Sequence, residues 1–168
     1  MKLTILGSGT AIVTARRGSS GYLIKIADKT LLLDSGSGTL KKIAEASSSF
    51  KEIDYAIYTH LHPDHVTDLI SLLFALRIPS NYKSKDLTVI GPAGMKEFHR
   101  KLTETFDNFI EPRGYELTIN ELSGGDLDFE DFKLTSSLIN HHEGSLAYRV
   151  ESKDGKTIVY SGDTDYCE

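Results

Sequence analysis

Cysteine is almost missing from this chain. Cys167 is the only one, so no disulfide framework can staple the fold, and the low thiol content fits a reducing cytoplasm. Long apolar runs are missing as well: the longest, around Leu72 to Leu76, falls far short of the roughly 20 residues that a membrane-spanning helix needs. The stretch from Met1 is broken by Gly7 and Gly9, too soon for the apolar core of a secretory signal. The expected setting is therefore cytoplasmic, with no membrane partner. A surplus of positive charge is also lacking. Lys and Arg number 19 against 24 Asp and Glu, a net charge of −5, so no general attraction draws nucleic-acid phosphates and any such binding must be local. No internal repeat, low-complexity tract or interdomain linker interrupts the sequence. Residues 1–168 are expected to form one domain, long enough to bury about 70% of its unfolded surface.

What the chain does have is Thr59-His60-Leu61-His62-Pro63-Asp64-His65, three imidazoles and a carboxylate within six consecutive positions. Imidazole nitrogen and carboxylate oxygen are the donors that borderline divalent ions accept. If Tyr55 to Thr59 is a strand running into the motif, its period of two puts His60 and His62 on one side, where they can share an ion. Asp64 and His65 then fall in the turn that starts the next helix, beside a second position.

Around this motif the pattern alternates. Lys2 to Leu6, Gly21 to Ile26 and Thr30 to Asp34 read as strands, and Leu40 to Ala46 as a helix with Leu40, Ile43 and Ala44 on its buried stripe. Leu69, Ile70, Leu72, Leu73, Leu76 and Ile78 recur at helical spacing. Leu87 to Ile90 is a strand and Ala93 to Phe106 an amphipathic helix. Strands return over Glu116 to Ile119, Phe132 to Ile139, Ser145 to Val150 and Lys156 to Tyr160, the last two joined by an Asp154-Gly155 hairpin turn. His99 reads as solvent-exposed, His142 as a surface or packing histidine, and Arg16 and Arg17 as solvated loop residues.

With His60, His62, Asp64 and His65 in place, the chain resembles the metallo-β-lactamase fold superfamily, in its ribonuclease Z-like branch. Asp34, in Leu33-Asp34-Ser35-Gly36, resembles the first motif, an aspartate that supports the site from behind a ligand. Asn140-His141 ahead of Ser145-Leu146-Ala147-Tyr148 resembles the third, with His141 rather than His142 as ligand. Ser161-Gly162-Asp163-Thr164 resembles the fourth, whose aspartate bridges two ions. The resemblance implies an α/β fold, the αβ/βα sandwich, here apparently truncated after its first half, because the histidine of a fifth motif does not occur before Glu168. It further implies two divalent ions, Zn2+ first with Mn2+ or Fe as alternatives. His60, His62 and His141 would hold one ion, Asp64 and His65 the other, with Asp163 between.

The expected chemistry is hydrolysis by a water ionised between the two metals, with Asp64 also orienting it, on a phosphodiester. Pro63 stands where tRNA-processing relatives carry glycine, and a short turn replaces their long basic arm between the third and fourth motifs. A small-molecule or cyclic phosphodiester is therefore expected ahead of tRNA. Two alternatives stand beside this expectation: an incomplete, non-catalytic metal-binding fragment or assembly scaffold, and a thioester or lactam hydrolase with the same ions. Half of a two-halved sandwich should also leave an apolar sheet face, hence a homo-oligomer or a partner supplying the missing half.

Overall fold

A computed structural model describes residues 1–12, 14–78 and 85–166; Cys167 and Glu168 lie outside the described residues. Three strands, β1 (Lys2–Gly7), β2 (Gly21–Ile26) and β3 (Lys29–Ser35), open the chain as an antiparallel meander. The order β1-β2-β3-β4-β5-β6 is then completed by parallel pairings of β4 (Tyr55–Ile57), β5 (Leu87–Pro92) and β6 (Leu117–Leu122). Parallel neighbours need crossovers. These carry α1 (Thr39–Glu45), α2 (Pro63–Leu76) and α3 (Met95–Thr105). A second, antiparallel sheet has the order β10-β9-β8-β7, from β7 (Gly125–Asp128), β8 (Phe132–Leu138), β9 (Leu146–Ser152) and β10 (Thr157–Tyr160).

β3 shows why these layers stack. Residues 30 to 35 are all buried, as expected for a strand covered on both faces. Leu32 joins Ala56, Leu69, Leu72 and Leu73 in the core beneath the helices, whereas Leu31 and Leu33 join Phe132, Leu134, Tyr148 and Val150 in the core between the sheets. Helices, first sheet and second sheet thus make three layers. Among the described residues no helix covers the outer face of the second sheet, which accords with a metallo-β-lactamase-like sandwich that the chain spans only in part.

Three expectations need correction. Among the described residues the apolar sheet face expected to drive self-association is mostly polar: the inner face of the second sheet packs on the first, and its outer face carries Lys133, Thr135, Arg149, Glu151 and Thr157, with ion pairs from Lys133 to Asp126 and Arg149 to Glu151, and one exposed apolar side chain, Val159. β4 ends at Ile57, so His60 and His62 sit on an extended segment past the strand. β7 was not expected, because Gly124 and Gly125, both at positive φ, and two aspartates disguise a strand whose pairing partner β8 organises it.

Candidate metal centre

The site lies past the carboxyl ends of β3 and β4, where α/β sheets open a crevice. Pro63 occupies the first helical position of α2, which its fixed φ suits, so Asp64 and His65 emerge in the first turn. The loop after β3 meets this turn closely. A Cβ on Gly36 would lie 1.9 Å from the Asp64 carbonyl oxygen, a contact only glycine permits.

The second sheet supplies the other donors. Leu146 N donates to Thr59 O at 2.9 Å and the Tyr148 hydroxyl to Tyr58 O at 2.9 Å, pinning the His141 loop against the His60 segment. Asp165 N donates to Asn140 O at 2.7 Å, joining that loop to the segment of Asp163.

Two groups of donors result. His60, His62 and His141 offer ring nitrogens, and His60, His65 and Asp163 offer ring nitrogens and a carboxylate oxygen; within each group the atoms all lie within 4.8 Å of one another. His141 Nε2 is 3.2 Å from His62 Nδ1, and His65 Nε2 is 3.3 Å from Asp163 Oδ1. Asp64 stands slightly apart, its Oδ2 3.6 Å from His65 Nε2. His142 is exposed and turns its Nδ1 to the Glu143 carbonyl. His99, expected in solvent, is half-buried, with a buried Nε2 that has no hydrogen-bond partner.

Asp34 governs the tautomers. It is fully buried with φ of 52°, a left-handed conformation that aspartate tolerates better than most residues. Its Oδ1 accepts from Thr59 N at 2.8 Å; its Oδ2 accepts from Thr59 Oγ1 at 2.9 Å, His65 Nδ1 at 2.6 Å and the Tyr160 hydroxyl at 2.6 Å. His65 therefore carries its proton on Nδ1. Because the single proton of Thr59 goes to Asp34, His60 Nδ1, 3.0 Å from Thr59 Oγ1, is the donor there. In their neutral forms both rings are left with a bare Nε2, and both Nε2 atoms are buried without a hydrogen-bond partner. Such orphaned acceptors are rare unless something else binds them, and a divalent cation fits them.

The electrostatics separate the two rings. Burial, with repulsion from His65, His62 and His141, pushes His60 down to about 4, so it is a neutral donor at neutral pH. Burial also opposes charge on His65, but the hydrogen bond to Asp34 and the nearby charges of Asp34, Asp163 and Asp64 outweigh it and raise its pKa. Thr59, Tyr160 and Ser20, whose Oγ lies 2.9 Å from the Tyr160 hydroxyl, were not singled out from sequence. Tyr160 directly precedes Ser161-Gly162-Asp163, which is the one available signal; Ser20 has none.

Comparison with known proteins accords with this geometry. Ribonuclease Z of Nanoarchaeum equitans is 32% identical over 151 residues, covering 89% of this chain and 46% of that protein. Human tRNase Z, short form, superposes with a TM-score of 0.83 at 23% identity over 97% of this chain and 69% of its own. The metallo-beta-lactamase fold protein YhfI of Bacillus subtilis gives 0.81 at 25% identity, over 99% of this chain and 64% of its own. The chain spans about half the length of the curated relatives it matches. The family model described as the metallo-beta-lactamase superfamily matches residues 14–167, a span that includes Asp34 and both donor groups, and the chain belongs to that superfamily.

Proposed function

We propose that this chain is the metal-binding portion of a hydrolase that cleaves phosphodiesters. The observation that carries the reading is the pair of donor groups sharing His60, with the Nε2 atoms of His60 and His65 bare and buried. Relatives named ribonuclease Z favour RNA as the diester, ahead of the small-molecule substrate suggested by the tight turn between β9 and β10. On this reading His60, His62 and His141 hold one ion and Asp64 and His65 the other, with Asp163 between them, and zinc is the proposed metal. Bound divalent ions there supply Lewis acidity toward a phosphoryl oxygen and lower the pKa of water toward neutrality.

The chain's own groups do the rest. Asp34 holds His65 in the Nδ1–H tautomer through a 2.6 Å hydrogen bond, leaving Nε2 free to donate its lone pair. Asp64, at the start of α2, is the carboxylate placed to accept a proton from an attacking water. A cleft of about 480 Å³, lined by Arg16, Arg17, Lys41 and Lys42 with no carboxylate and none of the donor residues among its lining, reaches Ser19 and Ser37 beside Gly36, which packs against Asp64. It offers an anionic backbone local attraction that the net charge of −5 does not.

The test is a metal count on the purified chain together with hydrolysis of bis(p-nitrophenyl) phosphate and of a 3′-extended RNA. About two ions per chain and diester cleavage lost in His60→Ala support the proposal. Bound metal without turnover supports the non-catalytic reading, and no bound metal overturns both.

A further inference from the structure

We propose that Tyr160 is a positioning residue of the metal centre: its hydroxyl fastens the Asp163 segment of the second sheet to Asp34 and thereby sets the aim of His65. The inference rests on the metal-site reading above and deepens it. Four donors converge on the Asp34 carboxylate: the backbone N–H and hydroxyl of Thr59, His65 Nδ1 and Tyr160. This is about the full acceptor capacity of a carboxylate. Thr59 and His65 come from the segment and helix that follow β4. Tyr160, on β10, is the only one of the four from the second sheet, and it stands three residues before Asp163.

Two further contacts make Tyr160 a fixed strut. Its ring packs on Tyr22 with centroids 4.8 Å apart. Its proton is committed to Asp34, so Ser20 Oγ, 2.9 Å away, is the donor to the Tyr160 oxygen. Beyond it, Gly162 at φ 62° runs so close to Thr59 that a Cβ would sit 2.8 Å from Thr59 Oγ1. Besides the Asp165–Asn140 hydrogen bond, the Asp163 segment therefore docks toward the first sheet at two points, Tyr160 on Asp34 and Gly162 on Thr59. Both lead to a residue that holds a ring nitrogen of the site. Without the Tyr160 hydroxyl, Asp34 loses its hydrogen bond to the second sheet, and the 3.3 Å approach of Asp163 Oδ1 to His65 Nε2 loses one of its supports.

The test compares wild type, Tyr160→Phe and Ser20→Ala. Phe keeps the ring on Tyr22 and removes only the hydroxyl. Zinc affinity is measured by competition with a chromophoric chelator, and the His65 Nδ1 proton is observed by ¹H–¹⁵N NMR in the metal-free chain, whose spectrum also reports folding. In Tyr160→Phe zinc affinity falls by about 10 to 100-fold, the range for partners that orient a ligand, and the His65 resonance moves. Ser20→Ala moves the same resonance in the same direction by less. Unchanged affinity together with an unmoved His65 signal in Tyr160→Phe overturns the inference. Should wild type bind no zinc, the metal reading fails while the NMR arm still decides whether Tyr160 positions His65. Should Tyr160→Phe fail to fold, the Ser20→Ala signal decides it.

Discussion

Asp34 is the residue on which the most site geometry depends, because one buried carboxylate fixes the protonation of both His65 and, through Thr59, His60. Asp34→Asn keeps the shape but must present an NH2 to one set of donors, so zinc affinity is expected to fall about 10 to 100-fold, read by chelator competition. The pH response follows from His60, whose folded pKa of about 4 lies below its unfolded value near 6.5. A ring whose neutral form is favoured by folding contributes stability that is present above pH 6.5 and is lost as pH falls toward 4. A metal-free His60→Gln chain should lose less stability across that window than wild type in a urea titration series. Arg17 belongs to the same scale. On the proposed reading, Arg17→Ala is expected to raise KM for a 3′-extended RNA more than for the small chromogenic diester, because Arg17 lines a basic cleft that holds none of the donor residues.

At the scale of elements, the site is placed by close approaches between segments. The loop following β3 touches the first turn of α2 at Gly36, where an added methyl group would strike the Asp64 carbonyl and Ser19 Cβ at 1.9 and 2.4 Å. Gly36→Ala must push α2 outward, at a cost of about 1–3 kcal/mol for an overpacked contact. In a chain of this length that lowers Tm by about 2–4 °C per kcal/mol, and it should weaken metal binding at the same time because Asp64 and His65 ride on that turn. Differential scanning calorimetry with and without zinc separates the two effects. A substitution deep in α2, such as Leu69→Ala, should cost about 2–5 kcal/mol through its cavity without that selective effect on the metal. Leu69 faces the sheet rather than the site.

For the whole molecule, the donors come from both sheets, so metal bound to them links the layers. Zinc at about 100 times its dissociation constant adds about 2.7 kcal/mol to folding, and a chelator should remove it, visible as a fall in Tm of several degrees. The outer face of the second sheet is mostly polar, with Val159 its exposed apolar residue, too little apolar area to drive self-association by itself. Light scattering on the metal-loaded chain tests the expectation that a second copy or a partner associates with it.

His60, His62, Asp64 and His65 were legible in the sequence because four donors in six positions have little other explanation, and the alternation of apolar runs marked the strands on either side. Asp34, His141 and Asp163 were named only through a resemblance, since a lone aspartate at a strand end or a histidine in a loop carries no local signal of its own. β7 stayed hidden because its glycines and aspartates favour a turn until β8 pairs with it. Local chemistry thus marked which residues are candidate cation donors and which segments favour strands. Tertiary structure alone decided that Tyr160 reaches Asp34, 126 residues away along the chain, and that Ser20 reaches Tyr160, because such contacts depend on register and packing that no stretch of sequence contains.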